Sequence, residues 1–473
     1  MAEATTRSHP STDRVPWNTT VAYGAPIIGV GYMYLVLSLY VMKFSTDVLL
    51  IAPAVMGLIF SVSRIWDAIS DPIVGYLSDR TRNRFGRRRT WIAASLIPTA
   101  GTFVMVFSPP QSFTDGELVA WMAIAIIGFY SAMTLFYVPH LSLGAELSDN
   151  YHERSRLFGI RHAFYTFGSI LSLISFYVLI KAEQEGPEVV RQTAFNLAVL
   201  VALATSVVTI FAVSKLSERE DFQGRINDNP FQAFADIWRN PHAKLLIVVT
   251  FIEHVGSAAI AALTLYVTQY VVGAPAWAPV VILCYMIPST FSVPMWLPLS
   301  RRFGKVKLWM FSMVLTGLSF GSMFALPFID DVTSRLIYIS VAAFFAGLSA
   351  GCGGTLSPSV QGDVIDYDEY VTGERKEGSY FAAWNFVYKS ALGVMLLLTG
   401  FVLQFSGFEP NQEQTMTVKI SLVTLYSLFP LVCYGIGAVL FSRFKLDETA
   451  YAEIRQELDR RKSAEQQIPD RTA

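Results

Sequence analysis

The chain has 473 residues, 53% of them hydrophobic and only 15% charged, with a mean hydropathy of +0.42. Soluble globular domains carry about 25% charged residues, so this is the composition of a membrane protein. A formal net charge of −1 argues against a nucleic-acid partner.

The first apolar run begins after about twenty mostly polar residues and is too long for the core of a secretory signal, so no cleavable signal peptide is expected. Apolar runs able to cross about 30 Å of hydrocarbon recur at 20–43, 48–78, 89–108, 117–147, 153–181, 191–215, 243–271, 275–300, 305–328, 333–364, 377–405 and 418–443. Only helices satisfy their own backbone in lipid. The expected fold class is therefore an all-α membrane protein with twelve transmembrane helices. The polar stretch "KLSEREDFQGRINDNPFQAFADIWRNPHAK" (215–244) splits the spans six and six. This predicts an N-terminal six-helix half (1–215), a central linker (216–242), a C-terminal six-helix half (243–445) and a tail (446–473).

Lysine and arginine set the expected orientation. Arg80, Arg82, Arg84, Arg87, Arg88 and Arg89 follow the second span, and Arg301, Arg302, Lys305 and Lys307 follow the eighth. The alternate loops "SPPQSFTDGE", "GAPAWAP" and "FSGFEPNQEQ" contain neither residue. Both termini are thus expected in the cytoplasm, and the charged tail "DETAYAEIRQELDRRKSAEQQ" is expected as a solvated helix. "GYLSDRTRNRFGRRRTWI" after span two is echoed by "LPLSRRFGKVKLWM" after span eight. Repeats at matching places in two halves are a transporter layout. Cys284, Cys352 and Cys433 lie in apolar runs without metal or disulfide spacing and are read as packing residues.

Charges inside the apolar runs carry the functional signal. Asp67 and Asp71 are four residues apart and share a helix face. A carboxylate in mid-membrane costs several kcal/mol, and two side by side need positive charge between them. Lithium, sodium or a proton would serve, or a buried base in a purely structural ion pair. Lys389, Arg161, His162, Glu253, His254 and Glu146 also fall within spans, and His140 is read as a hydrogen-bonded packing residue. "GLSFG" (317–321) and "GLSAG" (347–351) fit a nucleophile-elbow pattern but lie in apolar helices, where small residues serve packing. With no metal, phosphate-loop or nucleophile constellation, an enzyme is not expected.

"RIWDAISDPIVGYLSDRTRNRFGRRRTWI" (64–92), "YVPHLSLGAELSDNYHERSRLFGIR" (137–161) and "GDVIDYDEYVTGERKEGSYFAAWNFVYKSALG" (362–393) resemble segments of the glycoside–pentoside–hexuronide cation symporters. These are the melibiose permease-like branch of the major facilitator superfamily. The resemblance implies a major facilitator fold and alternating access. It implies a cation site of Asp67, Asp71, Ser70 and Thr134. It implies a substrate site of Arg161, Lys389, Tyr137, Trp384, Asn385 and Gly31. The basic loops after spans two and eight are read as cytoplasmic latches, with Arg84, Arg88, Glu146, Asp363 and Asp366 as the expected gating residues.

The coupling cation would be sodium or a proton, with no other cofactor. Where the family has two sugar-gripping aspartates and a stacking tryptophan, this sequence has Gly31, Tyr137 and Leu141. With Arg161 and Lys389 retained, a sugar acid or sulfated sugar is expected before a galactoside. The alternative is a lysolipid-like anionic amphiphile. The remaining expectations are a small-molecule substrate, a lipid bilayer, a plasma-membrane location and a monomer, with no nucleic acid.

Overall fold

The computed structural model describes residues 14–147, 151–218, 237–373, 377–446 and 448–466. Its helices are α1 (Trp17–Leu39, prolonged by Val41–Lys43 and a π turn Phe44–Val48), α2 (Pro53–Arg80), α3 (Arg87–Val106), α4 (Asp115–Glu146), α5 (Tyr151–Glu185) and α6 (Pro187–Lys215). After the linker come α7 (Pro241–Tyr266, prolonged by Val267–Val272), α8 (Ala278–Phe291 with Val293–Phe303), α9 (Lys305–Ser322), α10 (Val332–Thr372) and α11 (Glu377–Phe405). The last span is α12 (Met416–Val423, a π turn Thr424–Leu428, then Phe429–Phe441), and α13 (Glu448–Gln466) follows it.

Local sequence explains where these helices start. Pro53, Pro187 and Pro241 occupy first-turn positions, where a missing N–H costs nothing. Asn240 caps α7 by accepting from the backbone N–H groups of His242 (3.0 Å) and Ala243 (3.2 Å). Asp331 caps α10 by accepting from Ser334 N–H at 2.7 Å. α10 ends on Gly373, whose φ of 75° suits a left-handed cap.

Among the described residues nine helices are long and apolar enough to cross a membrane, and the two pieces of α8 make a tenth. Those pieces meet at 51°, where Pro288, Pro294 and Pro298 remove backbone donors. α2 and α3, of 28 and 20 residues, complete twelve. They are long enough to span but carry more charge. On α6 the exposed stripe Leu200, Leu203, Val207 and Ile210 suits lipid, while Ala194, Ala198 and Ala202 are buried.

Helices α1–α6 pack together and so do α7–α12. The two halves meet chiefly where α2 lies along α11. That approach needs glycine: a β-carbon at Gly400 would stand 2.4 Å from the Pro53 carbonyl oxygen, and one at Gly57 would stand 2.8 Å from that of Leu396. Small residues let membrane helices close this tightly. α8 touches α5, and α7 touches α1.

The tail departs from expectation. α13 is helical, but Ile454 and Leu458 are buried and the helix packs on α10. Tyr451 Oη donates to Asp366 Oδ2 at 2.8 Å, and Arg455 lies 3.6 Å from the same oxygen. One apolar stripe and one acid dock a segment whose composition had suggested full solvation.

Candidate functional site

The centre of the molecule is the α2–α4–α11 junction. One helical turn separates Asp67, fully buried, from Asp71, partly buried, so both carboxylates face α4 and α11. Lys389 Nζ lies 2.9 Å from Asp67 Oδ2 and donates a hydrogen bond to Asp71. Thr134 Oγ1 lies 2.9 Å from Asp67 Oδ1 and 3.1 Å from Asp71 Oδ1. A hydroxyl has one hydrogen, so it donates to one carboxylate at a time. Ser70 Oγ sits 3.4 Å from Thr134 Oγ1 and donates to the Asp67 carbonyl at 3.2 Å. Pro72 follows at once and removes a helix donor, freeing a carbonyl one turn back.

The result is a set of carboxylate and hydroxyl oxygens, the ligands hard monovalent cations prefer, with an ammonium lodged among them. The four residues expected at the cation site, and Lys389, come together. Among the described residues no cluster of three or more His, Cys, Asp or Glu side chains offers a metal site.

Arg64, one turn before Asp67, was not foreseen. It is 3% exposed; its Nη2 donates to Tyr130 Oη at 2.5 Å and its guanidinium carbon lies 3.9 Å above the Tyr130 ring. An arginine three residues before an aspartate in an apolar run was the available signal.

The expected substrate residues divide. Arg161 is partly exposed, with its guanidinium 4.8 Å from the Tyr137 ring centre, and its Nε and Nη2 are buried without hydrogen-bond partners. It does not pair with Glu146. Asn385 is exposed on α11. Trp384 faces the other way, buried against Tyr380 at 5.6 Å in the core of the C-terminal half. Gly31 is a helix contact: its β-carbon would stand 2.2 Å from the Tyr165 carbonyl oxygen of α5. Both expectations are corrected by helix rotation. The α1 residue turned to the centre is Tyr34, whose ring contacts Phe129, Tyr130 and Tyr137. Gly31→Asp should accordingly lower the melting temperature, at a cost of about 1–3 kcal/mol or more. An unchanged melting temperature would contradict this placement.

Among the described residues, Arg88 and Glu146 bond to each other within the N-terminal half and Asp363 bonds within the C-terminal half. Arg87 Nη2 reaches Glu146 Oε1 at 2.7 Å and Arg88 Nη2 reaches it at 3.3 Å; Arg88 Nη1 also donates to Ser78 Oγ at 2.6 Å. Across the fold's pseudo-repeat, Lys305 at the start of α9 pairs with Asp363 of α10 at 2.9 Å. Asp366 holds α13, as above. Arg84 is exposed over the Phe85 ring. Glu218, from the start of the linker, accepts from the backbone N–H groups of Arg87 (2.7 Å), Arg88 (2.9 Å) and Arg89 (2.7 Å). A carboxylate there complements the helix dipole.

A second network, also unforeseen, joins the halves at the end opposite the termini. Lys43, 1% exposed, pairs with Glu183 at 2.5 Å and Asp47 at 3.5 Å. Tyr270 Oη of the C-terminal half donates to Asp47 Oδ2 at 2.5 Å, Thr46 meets Tyr266 Oη at 2.7 Å, and Asn411 Nδ2 donates to the Asp47 carbonyl at 2.6 Å. The lysine and aspartate at i and i+4 in "KFSTDV" were its only local trace.

Residues 22–448 match the family described as MFS/sugar transport protein. The chain belongs to this family. It is a multi-pass membrane transporter, and not an enzyme. Among relatives of the MFS/sugar transport family, a glucuronide carrier protein homolog of Escherichia coli (strain K12) is 24% identical over 462 residues, covering 96% of this chain and 98% of its own. A sodium-dependent lysophosphatidylcholine symporter 1-A of Danio rerio is 25% identical over 451 residues, covering 87% and 82%. The crystal structure of a D-xylose-proton symporter shares the fold with a TM-score of 0.66 at 15% identity, covering 90% of this chain and 97% of that one. The family match takes in every central residue described above, from Arg64 to Lys389.

Proposed function

We propose that this transporter is a sodium-coupled symporter of a glycoside bearing an acidic group, working by alternating access, with the cation at Asp67 and Asp71. The observation that carries the reading is the ammonium of Lys389 shared by two carboxylates that also share the Thr134 hydroxyl. With the Arg64 guanidinium engaged by Tyr130, the two carboxylates share a single ammonium and can take one more positive charge. A sodium ion entering the oxygen set supplies it and loosens Lys389, which then turns toward an anionic substrate. Hydroxyl ligands from Thr134 and Ser70 serve a metal cation; a proton would need only a carboxylate.

Arg161, with two buried N–H groups unanswered, supports the acidic substrate: guanidinium offers a planar fork to carboxylate or sulfonate. The glucuronide relative is consistent with that chemistry. The basic loops support an orientation with both termini in the cytoplasm, in which the network around Asp47 lies at the outer face. One sodium carried with a monoanionic glycoside moves no net charge, so the sodium concentration gradient drives uptake: a roughly tenfold gradient supplies about 1.4 kcal/mol, enough for about tenfold accumulation.

The test is uptake into proteoliposomes under an inward sodium gradient, comparing p-nitrophenyl β-D-glucuronide with the matched neutral glucoside and with lysophosphatidylcholine. Preference for the glucuronide, dependent on sodium, is expected. Uptake driven equally by a proton gradient alone would overturn the sodium assignment, and uptake of lysophosphatidylcholine alone would overturn the glycoside. Arg161→Lys should cut glucuronide uptake by about tenfold or more, since an ammonium replaces the fork, and should spare neutral glycosides.

A further inference from the structure

The C-terminal half holds polar groups that the account so far leaves unused. Glu253, in the middle of α7, is partly exposed and forms no ion pair among the described residues. The buried Trp309 of α9 brings its indole N–H toward the Glu253 carboxyl but makes no hydrogen bond of full geometry. Both groups border α10 at Gly353: Glu253 Oε1 and Trp309 Nε1 would each lie 3.6 Å from a β-carbon there. The next residue, Gly354, is exposed with nothing within 4 Å of its β position. The lack of a side chain at Gly353 thus leaves a space within reach of both an acid and an unanswered N–H.

His254 extends this wall. Its Nδ1 lies 2.7 Å from the Thr250 carbonyl, which can only accept, so Nδ1 carries the hydrogen. The neutral ring therefore presents Nε2 as a bare acceptor. The ring packs edge-on against Tyr388 at 5.0 Å. Tyr388, 51% exposed and next to Lys389, lies within electrostatic reach of Tyr130 and Tyr165 on one side and Tyr285 on the other. It joins the α7 wall to the centre of the molecule.

We propose that Glu253, Trp309 and His254 form a second subsite that binds hydroxyl groups of the substrate, opposite the anion-binding Arg161. The chemistry selects the ligand. An ammonium could satisfy Glu253 but could not accept from the Trp309 N–H. A hydroxyl does both: it donates to the carboxyl and accepts from the indole. The acid acceptors that Gly31 and Tyr137 do not supply in the N-terminal half are thus supplied from the C-terminal half. A polyhydroxylated anion then spans the two halves, its charge on α5 and its hydroxyls on α7, and its occupancy bears directly on how the halves close.

This assignment rests on the glycoside reading above. Full-length protein in sodium is titrated calorimetrically with p-nitrophenyl β-D-glucuronide, its 2-, 3- and 4-deoxy analogues, and the neutral glucoside. Glu253→Leu and Trp309→Phe are compared with the parent protein. The unmodified protein should bind the glucuronide at least about tenfold tighter than one deoxy analogue, the worth of a hydrogen bond to a charged group. In both variants that ratio should fall toward one. Sodium binding should stay unchanged, and glucuronide and glucoside should weaken by the same factor. A deoxy ratio unchanged in both variants would overturn the subsite while leaving the substrate class standing. If the unmodified protein binds neither glycoside, the substrate reading falls and the subsite with it.

Discussion

Asp67→Asn should abolish sodium-driven accumulation, lowering the steady-state gradient of the glucuronide from about tenfold under a roughly tenfold sodium gradient to none. The protein should remain inserted and folded. Asp67 is wholly buried, receives the Thr134 hydroxyl and lies 2.9 Å from Lys389. Asparagine keeps the volume but removes half the charge that holds the cation. It also leaves Lys389 paired with Asp71 alone, a neutral pair with no deficit for sodium to fill. Sodium-free counterflow of substrate serves as the folding control, because facilitated exchange does not need the gradient. Accumulation within a factor of two of the parent protein would remove Asp67 from the coupling site.

The second large effect concerns Lys389 and runs in two directions. Lys389→Ala should tighten sodium binding by about tenfold or more, since the cation no longer displaces an ammonium. The same substitution should eliminate coupled uptake of anionic substrate, because the group that senses cation entry and turns to the substrate is gone. Sodium affinity is read from the cation-dependent rise in melting temperature, uptake from proteoliposomes. Weaker sodium binding in the variant would show that Lys389 supports the cation site instead of competing for it.

The parts of the site that were legible share one physical cause. Charge in an apolar run is expensive enough to be conspicuous, so Asp67, Asp71, Lys389 and Arg161 stand out in the sequence, and the i, i+4 spacing fixes the two acids to one face. What was not legible is rotation and long-range pairing. Gly31 and Trp384 lie in helices that do line the centre, but a turn of about 100° per residue puts each against another helix. Lys43 and Glu183 are 140 positions apart, and nothing local says that they meet. The docking of α13 was hidden by its charge: Ile454 and Leu458 are too few to register in composition, yet they suffice against the end of α10. The repeated basic loops signal two halves, and their acidic partners, Glu146 and Asp363, brace each half from within.

The braces bear on how the carrier moves. If α2–α3–α4 and α9–α10–α13 are stiffened internally, motion falls to the interface between the halves. There the described bonds lie at two levels, the network around Asp47 and the Lys389 junction. Sodium acts on the second. Substrate, if held as proposed by Arg161 on one half and the α7 wall on the other, would act across both.

The most direct test of sodium coupling at Asp67 and Asp71 is equilibrium binding of radioactive sodium to the purified protein, with and without p-nitrophenyl β-D-glucuronide. Linkage requires that each ligand raise the other's affinity by the same factor. The account predicts one sodium per chain, bound more tightly in the presence of the glucuronide and lost in Asp67→Asn. Sodium binding that persists in that variant, or that ignores the glucuronide while the glucuronide itself binds, would contradict it.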